Sequence, residues 1–305
     1  QGPGAPALGL QDLLIALIRP WQYQPLGFHY AWGKVLSWLM KVFRYRRDVV
    51  MINLARSFPG CKYKEIGQTA KTFYKNIGMV AAETMWLGGR VRRKEKVFRK
   101  GIIAIEGGQG VYDALEKGSV MILNSHAGNW ELIGAYLQKL CDESGGRMSE
   151  RDVAVVYRRL HGRFAEEFFR RNRCALQGKD FAGYVESRVV MRYIVRHRKE
   201  NKVYVFPNDQ YPYGTAIARQ TVDFLCQKTE VMTGGAQVAE HLGMSVFYMY
   251  ADRTAKGKYT VRFSKICDDA AALGAEKIIN EYYRLLEEDI RRNPSNYLWS
   301  HRRWK

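Results

Sequence analysis

Ser119-Val120-Met121-Ile122-Leu123, running on into Asn124-Ser125-His126-Ala127-Gly128-Asn129-Trp130-Glu131-Leu132-Ile133, is the stretch on which the fold turns. The apolar run leaves a turn signal at Lys117-Gly118 and is short enough to be a buried strand. Beyond it Trp130, Leu132, Ile133, Tyr136 and Leu137 recur at helical spacing, with Asn129 in the N-cap position. This places His126 just past a strand end and Glu131 in the first turn of a helix. An unbroken helix would set residues five apart ~140° from each other, at ~100° per residue. The imidazole and carboxylate therefore meet only if His126 lies in the loop, where Gly128 frees the backbone to bend. A carboxylate beside an imidazole fixes its tautomer and stabilises its charged form, leaving the other ring nitrogen to take a proton from a hydroxyl. On this reading His126 is a general base and Glu131 orients it.

Outward from that centre, strands alternate with helices. Asp152–Tyr157, Lys202–Phe206, Ser245–Ala251 and Tyr259–Phe263 read as strands. Helical patterns cover 28–57, 62–88, 109–117, 130–141, 162–173, 186–199, 233–242 and 270–292. The expectation is an α/β fold with a mixed, mostly parallel central sheet covered by helices on both faces, and an antiparallel hairpin where the Ser245 and Tyr259 strands meet. In such a fold the loops beyond strand C-termini gather in one crevice. His126, Tyr157-Arg158 and Asp209-Gln210 all stand at such ends.

Composition bounds the possibilities. A chain of 305 residues with 47% hydrophobic residues and no linker-like tract favours one elaborated domain. Five scattered cysteines, Cys61, Cys141, Cys174, Cys226 and Cys267, lack the pairing of a zinc site or a disulfide scaffold, so no metal site is expected. A formal charge of +19 calls for an acidic partner, and its clusters at 41–47, 90–100, 158–173 and 188–202 are distributed as on a folded face rather than a tail. Nucleic acid, anionic lipid headgroups, phosphorylated sugars and an acidic carrier protein all satisfy it.

The N-terminal region bears on membranes. Leu8 to Ile18 is apolar but only about eleven residues long, short of the ~20 that cross a bilayer core. From Leu26 to Phe43, Tyr30, Trp32, Trp38 and Phe43 mix with Lys34 and Lys41, and Arg44, Arg46 and Arg47 follow. That mixture suits a helix lying in the headgroup layer; packing on the core is the alternative. Residues 1–45 read as a membrane-associating helical segment and 46–305 as the catalytic domain.

The block His126-Ala127-Gly128-Asn129-Trp130-Glu131, a His-x-x-x-x-Glu pattern, closely resembles the first motif of the bacterial lipid A biosynthesis (late, secondary) acyltransferases, of the lysophospholipid acyltransferase superfamily. Other blocks resemble the family in order: Tyr45-Arg46-Arg47-Asp48-Val49-Val50, Phe73-Tyr74-Lys75-Asn76-Ile77-Gly78, Val156-Tyr157-Arg158-Arg159-Leu160, Phe206-Pro207-Asn208-Asp209-Gln210 and the tail from Tyr297 to Lys305. The resemblance implies a glycerol-3-phosphate acyltransferase-like fold and transfer of a fatty acyl chain from acyl carrier protein or coenzyme A to a hydroxyl of a lipid A precursor. The place would be the cytoplasmic face of the bacterial inner membrane, with no cofactor. Site residues carried over are His126 and Glu131 for catalysis, with Arg158, Arg159, Asp209, Gln210 and Asn129 for substrate. Implied partners are the acidic acyl carrier protein, anionic membrane lipids and a phosphorylated glycolipid acceptor. Two alternatives stay open: the same chemistry on another membrane glycolipid or aminolipid, such as a phosphatidylinositol mannoside, and a basic nucleic-acid-binding protein. The ordered blocks weigh against the latter, whose basic residues form no recognisable reader.

Overall fold

The computed structural model describes residues 17–89, 101–178, 180–212 and 220–304. The basic cluster 90–100 and most of the apolar run 8–18 lie outside the described residues.

Seven strands form the central sheet: β1 (Ile103–Glu106), β2 (Val120–Asn124), β3 (Val153–Tyr157), β4 (Tyr184–Glu186), β5 (Val203–Pro207), β8 (Ser245–Ala255) and β9 (Lys258–Cys267). Their spatial order is β1-β9-β8-β2-β5-β3-β4, parallel throughout except at the β8–β9 hairpin. The α/β fold with a mixed, mostly parallel sheet is thus present as the alternation of elements implied. A strand in the middle of such a sheet is covered on both faces and reads as an unbroken apolar run. β2 meets this description, with all five residues buried. Successive side chains point to opposite faces, so Met121 and Leu123 enter one core cluster and Val120 and Ile122 the other. Tyr204 against Val203 and Val205, and Tyr248 against Phe247 and Met249, divide in the same way.

Helices among the described residues include α1 (Leu26–Val42), α2 (Arg47–Ser57), α3 (Tyr63–Gly88), α4 (Gly108–Lys117), α5 (Ile133–Glu143), α6 (Arg163–Arg173), α7 (Val190–Arg196), α8 (Gly234–His241), α9 (Ala270–Leu273) and α10 (Ala275–Arg292). Several differ from the sequence reading for identifiable reasons. The stretch 28–57 is two helices, because Arg44 and Arg46 take left-handed φ values of 50° and 49° where no glycine or proline announces a break. Gly274, at φ 87°, divides 270–292. The stretch from Glu186 begins as the end of edge strand β4, and the helix starts only at Val190. A second sheet, the hairpin β6 (Gln220–Phe224) and β7 (Gln227–Val231), went unread. Its turn residues Leu225 and Cys226 both have positive φ, a conformation normally flagged by Asn or Gly. Here Glu287 holds it by accepting the Leu225 N–H at 2.7 Å.

α1 crosses α3 where Gly33 and Gly78 face each other, and a Cβ on either would collide with the other's carbonyl oxygen. The side of α1 turned inward carries His29, Tyr30, Gly33 and Ser37, whereas Phe28, Trp32, Val35, Trp38 and Val42 stand exposed. The helix is more apolar outside than inside.

Candidate active site

β2 and β5 are parallel neighbours whose last residues, Asn124 and Pro207, are paired in register. His126 lies two residues beyond the first and Asp209 two beyond the second, so the strand register alone brings them side by side at about the ~4.8 Å strand spacing. Asn208 N–H extends the ladder by donating to Asn124 O at 2.9 Å. The Asp209 carboxylate then accepts twice from one residue: the His126 backbone N–H at Oδ2 (2.8 Å) and the ring Nδ1 at Oδ1 (2.7 Å). Asp209 is 2% exposed and His126 18%. Burial pushes the Asp209 carboxyl upward, but the His126 ring and its two hydrogen bonds outweigh this and hold the carboxyl below its ordinary value. An acceptor-only carboxylate at Nδ1 fixes the proton there and leaves Nε2 as the open nitrogen. Gln210 Nε2 stands 3.1 Å from it.

The carboxylate that orients the imidazole is therefore Asp209, not Glu131 as the five-residue spacing suggested. Residues 130–132 form a 3-10 turn before α5, and Glu131 is engaged by Nε and Nη2 along one edge of the Arg173 guanidinium, at 2.7 and 2.8 Å. Trp130 Nε1 donates to the same carboxylate at 3.0 Å. Arg173, at the end of α6, also donates to the Tyr184 hydroxyl at 2.7 Å. A charged fork with two parallel bonds outcompetes a neighbouring neutral imidazole for a carboxylate.

Asn129 makes no side-chain cap. It is fully buried and donates to Glu83 Oε2 at 2.9 Å. Glu83, on α3, is the hub of a buried cluster that includes the Arg253 guanidinium at 2.9 Å and the hydroxyls of Tyr30, at 3.1 Å, and Tyr259. Burial first, then Glu83, pushes both tyrosines far up, so they stay protonated donors. No local pattern around Glu83 in the sequence announces this hub. Arg158 and Arg159 directly follow β3, beside β5 at the same sheet edge as His126, and both are exposed.

The loop between His126 and the helix is clamped from the C-terminal tail. Gly128, at φ +64°, lies so close to Ala251 O that a Cβ would strike it. Its N–H donates to Asn296 O at 2.9 Å, and Ala127 pairs with Tyr297 in an antiparallel bridge. Tyr282 and Tyr283 donate to Asn124 O and Asn208 O, at 2.9 and 2.7 Å, tying down the ends of both strands that carry the pair.

His301 also lies within electrostatic reach. Burial lowers it to about 4, against the opposing pull of Asp209 and with His126, Arg303 and Arg46 adding to the depression. The folded state thus holds this ring neutral, while an unfolded chain takes up a proton below its ordinary 6.5. The stability it contributes is complete above about pH 6.5 and lost as pH falls toward about 4. Urea titrations across that interval should show His301→Gln with a flatter decline than the parent; equal slopes would remove His301 from the account.

Among the described residues no group of three or more His, Cys, Asp or Glu side chains could hold a metal ion. Beside Arg173 a small recess with a cavity volume of about 10 Å³ is lined by Ile133, Leu137, Cys141 and Val155 together with Gln138, Glu150 and Gln177.

Comparison with known proteins adds two findings. A 57-residue stretch is 40% identical to Protein NrfD of Escherichia coli (strain K12), covering 19% of this chain and 18% of that one. The chain spans less than a fifth of that relative's length, and nothing of its function carries over. A family model described as bacterial lipid A biosynthesis acyltransferase matches residues 5–305, which take in the sheet, the imidazole–carboxylate pair and the tail that clamps it. The chain belongs to the bacterial lipid A biosynthesis acyltransferase family.

Proposed function

We propose that this protein transfers a fatty acyl chain from a thioester, borne by acyl carrier protein or coenzyme A, to a hydroxyl of a lipid A precursor, with His126 as general base. The observation that supports this most is the Asp209 carboxylate on Nδ1, at 2.7 Å, which leaves Nε2 as the basic nitrogen. Nε2 takes the hydroxyl proton as the oxygen adds to the thioester carbonyl carbon. The C–S bond then breaks and the leaving thiolate recovers the proton from the imidazolium, which Asp209 stabilises meanwhile. A thioester is already activated, so no serine or cysteine nucleophile is needed; positioning both substrates in one complex supplies much of the acceleration. Arg158 and Arg159, exposed on the same rim, suit a phosphate of the acceptor or of the donor's pantetheine arm.

The reaction would take place at the cytoplasmic face of the bacterial inner membrane. No helix among the described residues is long and apolar enough to cross a membrane. The outward face of α1, with Trp38 at 58% exposure and Phe43 beyond it at 76%, beside Lys34, Lys41 and Arg44, has the make-up of a helix seated among anionic headgroups. Changing Trp32 and Trp38 together to Ser should weaken sedimentation with anionic vesicles by at least about tenfold, each lost aromatic burial being worth ~1.5–3 kcal/mol. Unchanged sedimentation would take the membrane contact away from α1.

The direct test compares Asp209→Asn with Glu131→Gln in an assay that follows the acylated lipid by mass spectrometry. Asparagine must turn its carbonyl to the His126 N–H, an obligatory donor. Its NH₂ then faces Nδ1 and moves the ring proton to Nε2, the wrong tautomer. A loss of about 10²–10³-fold is expected for Asp209→Asn, and under about tenfold for Glu131→Gln, which keeps part of its contact with Arg173. The opposite ranking would return the orienting role to Glu131.

A further inference from the structure

The nitrogen that must receive the acceptor's proton is already occupied. Because Asp209 fixes the ring proton on Nδ1, Nε2 presents a lone pair, and a lone pair is met by the NH₂ end of an amide rather than its carbonyl. Gln210 therefore donates to Nε2, at 3.1 Å. Gln210 directly follows Asp209, whose carboxylate is pinned by the His126 backbone and ring and whose carbonyl accepts from Tyr297 at 3.4 Å. One loop thus carries both the carboxylate that orients the ring and the amide that covers its far side.

We propose that Gln210 guards the base against water, so that a bound lipid hydroxyl rather than solvent receives the acyl chain. The inference rests on His126 acting as base toward an acyl thioester. His126 is 18% exposed, so water reaches the ring. A water molecule at a bare Nε2 would give up a proton to it while its oxygen added to the thioester carbonyl carbon. The C–S bond would break, the thiolate would take the proton from the imidazolium, and free fatty acid and thiol would leave with the imidazole restored. Exchanging the amide for one water replaces a hydrogen bond by an equal one and brings no other binding. An acceptor held by its headgroup delivers its hydroxyl together with the rest of its binding energy, and so displaces the amide where water does not.

The experiment uses the intact protein, an acyl-pantetheine thioester and a hydroxyl-bearing lipid acceptor, with free fatty acid and acylated lipid both quantified. Gln210→Met, similar in length but without a donor, and Gln210→Ala should each raise the ratio of free acid to acylated lipid by about fivefold or more, the equivalent of one hydrogen bond. Combining either with His126→Asn should abolish the added hydrolysis. Both products falling in proportion, as in a merely loosened fold, would overturn the guard, as would added hydrolysis that survives without His126. A parent protein that acylates no hydroxyl lipid would overturn the underlying acyl-transfer reading, and does so before any change at Gln210.

Discussion

Replacing His126 by asparagine is expected to lower acyl transfer by about 10³-fold or more, toward the upper end of what a positioned base supplies. Asparagine is the informative choice because its NH₂ can stand where Nδ1 stands and keep a hydrogen bond to Asp209, which is 2% exposed and would otherwise be left as a buried, unpaired carboxylate. Alanine removes base and partner together and confounds the two effects. With asparagine the contact survives and only the proton-accepting nitrogen is lost. The residue lies in a loop outside both core clusters, so the midpoint of urea unfolding should shift little. Near-normal turnover in a folded His126→Asn protein would mean that another group deprotonates the acceptor.

The second large effect is on stability. Glu83→Ala should cost about 3–5 kcal/mol, the range for breaking one side of a buried ion pair. Arg253 shares its charge with Glu83 at 2.9 Å, and both side chains are 6% exposed. Removing the carboxylate strands the guanidinium together with the Tyr30 and Tyr259 hydroxyls and the Asn129 amide. Burial works against the charged guanidinium, and Tyr259 and Glu83 more than offset it, so Arg253 is held above its ordinary value. A paired replacement, Glu83→Leu with Arg253→Met, should recover much of the stability because no uncompensated charge remains. It should not recover full activity, since Asn129, three residues after His126, still lacks the carboxylate and its NH₂ keeps only the longer bond to Val80 O, at 3.4 Å. A single-variant cost below about 1 kcal/mol by urea unfolding would show that solvent reaches this cluster.

How much of this was legible beforehand differs from residue to residue. The buried strand Val120–Asn124 and the loop position of His126 could be read because each rests on local rules: an apolar run after a Lys-Gly turn, helical spacing beyond, and a glycine where the chain must bend. The β6–β7 hairpin could not, because a non-glycine turn with two positive φ values is imposed by Glu287, sixty-two residues away from the N–H it accepts. Asn129 looked like a helix cap, and a local cap is the ordinary use of its amide. A buried carboxylate on another helix offers a charged acceptor instead, and that bond won.

The α/β class and the strand end on which the imidazole stands follow from local patterns, because apolar periodicity and turn chemistry act over a few residues. Which carboxylate the imidazole meets depends on packing between distant parts of the chain. Two acids were available, one five residues along and one eighty-three away. The near one was drawn into the fork of Arg173, while the far one was carried to the ring by the register of two parallel strands. Register is a property of the whole sheet, and no local pattern in either motif announces it.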